Sequence, residues 1–260
     1  MTRKLVFTVD LDRDVNFPLP GRAAAGSIDR GEGDSPRFSS AERGLSVLLG
    51  ILDDLGVKAT FFVEGRTAET IDCSGLSGHC VGFHGYDHED LVGGETGLAF
   101  SDGELCQILK NGYVAVTDSI GRPECFRAPY MSADDRVLKA VSELGIRHDS
   151  SVYSALGEQP YATVHGMTEH PVPKTRDAAG KNMAAYLWPM HEGRRKPSDY
   201  IWMADRMEDG DLILATHTWH MVESRDRGVM ERREAELNAS NVREVLEGII
   251  DLGYVPSTIC

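Results

Sequence analysis

The sequence predicts a single α/β domain over residues 1–260, built from parallel β/α units arranged as a barrel. Two observations carry this prediction. Short apolar strand patterns alternate with longer amphipathic helix patterns, and polar residues cluster where the strand patterns end. The length of 260 residues agrees with it, because one α/β barrel commonly uses about 250 residues.

The first β/α unit lies near the start of the sequence. Residues 5–9 form an apolar run that predicts a buried strand ending at two carboxylates. Residues 13–40 are rich in Gly, Pro, Asp and Arg, and they predict a long loop that is either functional or mobile. Residues 41–55 place leucines on one helical face, and Gly56 predicts the end of that helix. Residues 59–63 predict the next strand.

The same alternation continues along the rest of the chain. Between residues 154 and 198 the pattern blurs, although a strand is predicted near residues 168–172. Ser101 is a candidate N-cap for the second helix. The other predicted strands are 79–83, 125–127, 146–149 and 211–216, and the other predicted helices are 101–120, 134–144 and 232–252.

Composition excludes several classes of protein. The formal net charge is −14, which argues against binding to nucleic acid and against a polybasic membrane anchor. No stretch approaches the ~20 apolar residues of a membrane span, and the N-terminal apolar run is too short for a signal-peptide core. The five cysteines are scattered and odd in number, which predicts reduced thiols and a cytoplasmic protein.

Two carboxylates follow the first strand pattern. Asp10 and Asp12 are two residues apart, so on a strand their side chains share a face. Burying both carboxylates is costly unless a cation lies beside them, which makes them candidate metal or catalytic groups. The alternative is that both simply cap the turn that follows the strand.

Two histidines follow the strand pattern at residues 79–83. His84 and His88 are four residues apart, a spacing that on a helical turn brings both imidazoles to one side. A chance pair on a polar surface is the alternative. With one carboxylate, two imidazoles make a plausible three-ligand metal site that leaves positions open for water and substrate.

Two further polar positions lie at predicted strand ends. Arg127 precedes Pro129 and could hold a carboxylate ionised, although an ordinary surface loop is the alternative. His217 follows the strand pattern at residues 211–216 and lies close to Trp219, a setting that suits a general acid in a partly dry pocket. The alternative for His217 is a hydrogen-bonded core histidine.

Taken together and in this order, these segments resemble the polysaccharide deacetylase family, also called the NodB homology domain. The resemblance covers nearly the whole chain. Its five motif-like segments are Thr8-Val9-Asp10-Leu11-Asp12, Gly82-Phe83-His84-Gly85-Tyr86-Asp87-His88-Glu89-Asp90-Leu91, Phe126-Arg127-Ala128-Pro129-Tyr130, His148-Asp149-Ser150-Ser151 and Leu214-Ala215-Thr216-His217.

The resemblance implies a distorted (β/α) barrel with about seven parallel strands, and a metal-dependent hydrolase that acts on an N-acyl group. It implies one divalent metal ion, zinc in the first place with cobalt, nickel or manganese as alternatives. By this resemblance the metal ligands are Asp12, His84 and His88. The implied catalytic residues are Asp10 as base, Arg127 as its orienting partner, the Tyr130 amide as oxyanion donor, His217 as acid and Asp149 as support for His217.

The sequence departs from the family pattern at three places. Leu11 separates the two aspartates, so the second of them takes the ligand role. Gly85 stands where the family more often has Ser or Thr, and Ala215 stands where it usually has Leu. The last departure leaves His220 as an alternative to His217 for the acid.

The implied substrate is a small molecule or glycan, including a lipid-linked sugar intermediate, with an acetamide that is hydrolysed. A cyclic imide or allantoin-type amide hydrolase is one alternative, and a non-catalytic carbohydrate-binding protein is another. Residues 13–40 and 154–198 are expected to set specificity, through side chains that include Trp188, His191, Arg194 and Arg195. The two adjacent arginines could bind a phosphate or carboxylate. The sequence does not indicate the oligomeric state.

Overall fold

A curled, largely parallel sheet of nine strands organises the chain in this computed structural model, which describes residues 2–260. The strands of the described chain are β1 (Lys4–Leu11), β2 (Asn16–Phe17), β3 (Gly26–Ser27), β4 (Thr60–Val63), β5 (Cys80–Phe83), β6 (Cys125–Phe126), β7 (His148–Asp149), β8 (Tyr153–Ala155), β9 (Tyr161–Ala162), β10 (Thr168–Glu169), β11 (Val172–Arg176), β12 (Asn182–Ala184), β13 (Asp211–His217), β14 (Glu223–Ser224), β15 (Gly228–Val229) and β16 (Val255–Ser257). The helices are α1 (Ser39–Leu55), α2 (Gly65–Thr70), α3 (Asp102–Ser119), α4 (Asp135–Glu143), α5 (Trp188–His191), α6 (Pro197–Asp205) and α7 (Arg232–Asp251).

The main sheet has the strand order β13-β1-β4-β5-β6-β7-β10-β9, and β16 also pairs with β1. Every pairing in it is parallel except that between β9 and β10. The predicted distorted barrel of parallel strands is therefore confirmed in the form of a half-barrel, whose two ends are β13 and β9.

Strand β1 lies in the middle of the core. Every residue from Leu5 to Leu11 is at most 2% exposed, as expected for a parallel strand covered on both faces. The register places Asp10 opposite His217 on β13 and Leu11 opposite Val63 on β4. The carboxyl ends of these three strands therefore meet at one edge of the sheet, which brings Asp10 and His217 together.

The predicted helices are confirmed with small shifts of their ends. Helix α1 begins at Ser39, earlier than predicted, because the buried Asp14 carboxylate accepts hydrogen bonds from the amides of Ser40 (3.0 Å) and Ala41 (2.7 Å). Ser101 caps α3 in a reciprocal capping box with Glu104. None of the helices within residues 2–260 is long and apolar enough to cross a membrane.

Residues 154–198 contain more regular structure than their sequence pattern indicates. They hold short strands of two to five residues and the helices α5 and α6. Most of these short strands are specified by long-range pairing, so hydrophobic periodicity does not reveal them. The strand predicted near residues 168–172 is divided between β10 and the start of β11. The parallel bridge between Tyr186 and Ala215 of β13 ties this region to the carboxyl edge of the half-barrel.

The prediction that all five cysteines are reduced is wrong for two of them. Cys80, at the start of β5, forms a disulfide with Cys260, while Cys73, Cys106 and Cys125 are free thiols. The two partners are 180 residues apart, and the pairing of β16 with β1 brings the segment after β16 beside β5. A contact set by the tertiary fold in this way leaves no signal in the cysteine spacing.

Candidate active site

Asp12, His84 and His88 form a compact cluster at the carboxyl edge of the sheet. Their ligand atoms all lie within 4.8 Å of one another, and all three side chains are buried. Nε2 of His88 is 3.2 Å from Oδ2 of Asp12. The sequence therefore predicted correctly that these three residues come together.

The two histidines are brought together by a loop and not by a helical turn. Residues 84–90 form a loop, and the loop turns at Gly85 (φ 72°) and His88 (φ 53°), both in the left-handed region. A Cβ at Gly85 would lie 2.9 Å from a Glu89 carboxylate oxygen, so glycine fits here both sterically and conformationally. The turn brings the two imidazole centroids to 4.9 Å.

The surroundings of the cluster fit a divalent metal ion. Nδ1 of His84 donates to the carbonyl oxygen of Arg127 (2.8 Å), which leaves its Nε2 unprotonated and available as a ligand. Oδ1 of Asp12 and Nδ1 of His88 are buried without a hydrogen-bond partner in the described chain. One carboxylate and two imidazoles are a donor set typical of zinc sites with an open position.

The pKa shifts at the cluster show an electrostatic cost of ionising Asp12 that a bound cation would reduce. Burial, together with the nearby carboxylates of Asp10 and Glu64, raises the pKa of Asp12 well above its ordinary value. Burial also lowers the pKa of His88 well below its ordinary value, so this imidazole is neutral. Neutral imidazoles beside a carboxylate crowded by other carboxylates are prepared for metal binding, because a divalent ion favours the ionised form of Asp12.

Asp10 is held by a buried arginine. Nη1 of Arg127 donates to Oδ1 of Asp10 (2.9 Å), and its other nitrogens donate to the carbonyl and hydroxyl oxygens of Ser150 and to Oγ1 of Thr8. Burial alone would raise the pKa of Asp10, but the charge of Arg127 and a hydrogen bond from Tyr186 outweigh it and lower that pKa. Asp10 is therefore an ionised carboxylate although it is almost fully buried.

Tyr186 is a site residue that the sequence did not reveal. Its hydroxyl donates a hydrogen bond to Oδ2 of Asp10 and lies 3.2 Å from Nε2 of His217. Burial and the Asp10 charge raise the pKa of Tyr186 well above its ordinary value, so the hydroxyl keeps its proton. The bridge to Ala215 holds Tyr186 at the site, and no local pattern predicts that bridge.

Of the two histidines considered for the acid, His217 reaches the cluster. Its Nε2 lies 3.9 Å from carboxylate oxygens of both Asp10 and Asp12, and its ring packs against Trp188. Burial lowers the pKa of His217 well below its ordinary value. His220 instead pairs with Glu192 (2.9 Å), and it does not line the cavity above the cluster.

Tyr130 contacts the cluster through the ring of His88. It adopts φ 59° and the following Met131 adopts φ 54°, while its ring stacks edge-on against His88 at 4.6 Å between centroids. Left-handed backbone at non-glycine residues is costly and gathers at functional sites. The other such residues in the described chain are His88 and Val15, which precedes the cavity-lining Asn16.

The structure contradicts the implied support of His217 by Asp149. Asp149 ends β7, and it accepts a hydrogen bond from the Ser151 hydroxyl (2.6 Å) while adjoining Glu169 on β10. No hydrogen bond links it to His217 in the described chain. Strand β7 is several strands away from β13 in the sheet, so the polar group beside His217 is the Tyr186 hydroxyl instead.

The Asp149–Glu169 pair gives a prediction about stability. Burial and the Asp149 charge raise the pKa of Glu169 from 4.5 to about 10, so the folded pair holds one proton at neutral pH. A raised folded-state pKa favours folding most below pH 4.5, and that contribution is lost as pH rises toward 10. We expect Glu169→Gln to flatten this decline and to unfold about 1–3 kcal/mol less readily at pH 8, as measured by urea denaturation. Equal pH slopes in wild type and Glu169→Gln, with the exposed Glu158→Gln as control, would contradict it.

A cavity of 510 Å³ opens above the cluster. Trp188 lines it as expected, but Arg194 and Arg195 do not, because they form ion pairs with Asp226 and Asp177 (both 2.6 Å). His191 is also buried elsewhere, hydrogen-bonded to Asn238 and Thr216. The residues that line the cavity are Asp10, Asn16, Pro18, His84, His88, Glu95, Ala128, Tyr130, Met131, Tyr153, Ala184, Tyr186, Trp188, Pro189, His217 and Arg225.

The half-barrel and its cluster define a class: an α/β-barrel protein with a candidate divalent-metal centre at the carboxyl edge of its strands. The family model for polysaccharide deacetylase matches residues 34–148. The sequence is 32% identical over 107 residues to a chitooligosaccharide deacetylase from Azorhizobium caulinodans, and 28% identical over 105 residues to chitin deacetylase 1 from Cryptococcus neoformans. Over the matched residues, the predicted resemblance to the polysaccharide deacetylase family is therefore confirmed.

These curated matches are partial. They cover 37% and 38% of this chain, and only 46% and 21% of the respective relatives. Solved structures extend the likeness in fold to almost the whole chain. A Mycobacterium smegmatis protein assigned to the polysaccharide deacetylases has a TM-score of 0.66 at 24% identity, with 99% of this chain and 87% of that chain covered. A family 4 carbohydrate esterase from Streptomyces lividans has a TM-score of 0.55 at 13% identity, with 99% and 93% covered.

A pseudoenzyme is also among the similar structures. This Bacillus anthracis protein has a TM-score of 0.55 at 15% identity, with 98% of this chain and 63% of that chain covered. The fold alone therefore does not establish catalysis. The argument for an activity has to come from the side chains of the site.

Proposed function

We propose that the protein hydrolyses the acetamide of an N-acetylated amino sugar in a glycan or glycan precursor, with a divalent metal ion, zinc in the first place, bound by Asp12, His84 and His88. The observation that carries the proposal is that one cavity joins this cluster to an ionised carboxylate, Asp10, and a histidine, His217. The names of the curated relatives, a chitin deacetylase and a chitooligosaccharide deacetylase, support the substrate class.

The residues divide the chemistry between them. A divalent ion, when bound, polarises a carbonyl and lowers the pKa of water. Asp10, kept ionised by Arg127, accepts a proton from the attacking water as general base. In this proposal the backbone N–H of Tyr130 stabilises charge on the carbonyl oxygen.

His217 needs a proton before it can act as an acid, because burial keeps it neutral at rest. The Tyr186 hydroxyl lies between Asp10 and His217 and can transfer a proton from Asp10 to His217. The hydroxyl passes its proton to Nε2 of His217 while it receives one from Oδ2 of Asp10. Protonated His217 then gives this proton to the leaving amine, so water supplies the proton that the amine needs.

This role predicts a specific defect in Tyr186→Phe. We expect kcat for acetate release to fall about 10²-fold, because proton delivery to His217 is lost, while KM and metal content change little. Steady-state kinetics with metal analysis would test this expectation. Tyr153→Phe is the matched control, since Tyr153 lines the same cavity without a hydrogen bond to Asp10 in the described chain. A Tyr186→Phe enzyme with normal kcat would contradict the proposed path.

The function itself is tested by acetate release from chitooligosaccharides of graded length. The purified protein is stripped with a chelator and reconstituted separately with zinc, cobalt, nickel and manganese. Metal-dependent acetate release would support the proposal. Ring opening of a cyclic imide without acetate release would favour the imide hydrolase. Binding of the oligosaccharide without turnover by any metal-loaded form would favour a carbohydrate-binding protein.

A further inference from the structure

One arginine in the cavity has no role in the chemistry proposed above. Arg225 lines the cavity, and its guanidinium carbon lies 5.7 Å from the centre of the Trp188 ring. Within residues 2–260, its guanidinium forms neither an ion pair nor a hydrogen bond. Neighbouring arginines are all paired: Arg30 and Arg37 with Glu223, Arg194 with Asp226 and Arg227 with Glu234.

The backbone that carries Arg225 is held from two sides. Its amide donates to Oε1 of Glu192 (2.6 Å), and the neighbouring Ser224 hydroxyl donates to Oε2 of the same carboxylate (2.6 Å). From the other side, Nη2 of Arg30 donates to the carbonyl oxygens of Ser224 (2.8 Å) and Arg225 (2.9 Å). Arg225 is thus presented to the cavity by a fixed main chain.

Glu192 and His220 account for that fixed position. Burial alone would raise the pKa of Glu192, but hydrogen bonds from His220, Ser224 and the Arg225 amide lower it to about 2. The ionised Glu192 carboxylate therefore connects His220 to the segment that carries Arg225 (2.9 Å to Nε2 of His220). This gives His220 a structural task next to the cavity and explains why it is not turned toward the metal cluster.

A guanidinium without a carboxylate partner is matched by an anion on the ligand. Its planar fork of N–H groups fits two oxygens of a carboxylate or a phosphate, an arrangement that a neutral sugar does not offer. Resting on the proposed function, we propose that Arg225 forms an anion subsite and that the substrate is an N-acylated amino sugar with a carboxylate or phosphate substituent.

Binding tests the subsite independently of turnover. Calorimetry on the zinc-loaded protein would compare N-acetylglucosamine with N-acetylmuramic acid, which adds a carboxylate, and with N-acetylglucosamine 6-phosphate. We expect wild type to bind at least one anionic sugar about 10-fold or more tightly than the neutral sugar, and Arg225→Gln to lose that ratio. The anionic sugar that binds more tightly than N-acetylglucosamine shows whether the subsite prefers a carboxylate or a phosphate. Arg225→Lys should keep part of this preference for the anionic sugar, because lysine retains the positive charge but lacks the planar set of N–H groups.

Glu95→Gln is the matched control, because Glu95 lines the same cavity and carries the opposite charge. It should leave the anionic preference intact or increase it. Equal affinity of wild type for neutral and anionic sugars, or an unchanged ratio in a folded Arg225→Gln protein, would overturn the subsite. Neither result bears on deacetylation, since acetate release from neutral chitooligosaccharides tests that proposal separately.

Discussion

Replacing His84 by alanine is expected to remove the bound metal and to lower kcat/KM for acetate release by about 10³-fold or more. The cluster then has two ligands, Asp12 and His88, too few to hold a divalent ion against water. Losing Lewis-acid stabilisation of the transition state costs several kcal/mol, and each 1.36 kcal/mol is tenfold in rate. Elemental analysis of the purified variant and initial rates of acetate release measure the two effects.

The control for this variant is His165→Ala. His165 lies outside the cavity and pairs with Asp135 at the surface (2.7 Å), so its loss should change neither metal content nor rate. Added zinc should raise the melting temperature of wild type and of His165→Ala but not of His84→Ala, because binding to the folded state stabilises it by mass action. Stoichiometric zinc in an active His84→Ala protein would show that the metal is held elsewhere.

The parts of this site that could be predicted from sequence are those in which chemistry follows a strand directly. Asp10 and Asp12 follow an unbroken apolar run, and His217 ends another, so the half-barrel had to place them at one edge. This topology was sufficient to predict that the candidate metal ligands come together. It was not sufficient to predict the geometry within the cluster, because a left-handed turn at Gly85, not a helix, brings His88 back beside His84.

What the sequence could not predict depends on contacts between distant segments. Tyr186 reaches Asp10 through one bridge to β13, and Arg225 reaches the cavity through Glu192. The resemblance gave Asp149 its predicted role, yet the residue opposite it in the sheet is Glu169 on β10, a pairing that the sequence does not reveal. Local patterns specify which groups the strands carry, and the packing of irregular segments decides which groups meet.

Replacing Asp10 by asparagine is expected to lower kcat about 10²- to 10⁴-fold while the metal stays bound. An amide has nearly the size of the carboxylate and can still accept from Nη1 of Arg127, but it cannot take a proton from water. It also leaves the fully buried Arg127 charge without its anion, so the free energy of unfolding should fall by up to about 3–5 kcal/mol. Kinetics, metal analysis and urea denaturation separate these effects.

Glu223→Gln provides the comparison that assigns the loss of rate to chemistry. Glu223 is a fully buried carboxylate whose partners are Arg30 (3.1 Å) and Arg37 (3.0 Å), and it does not line the cavity. Both variants remove one buried anion from arginine, so both should lose stability, but only Asp10→Asn should lose kcat by orders of magnitude. A similar fall in kcat in both would mean that Asp10 acts by holding the fold together. A fall confined to Asp10→Asn, with metal retained, would establish its carboxylate as the group that accepts the proton of the attacking water.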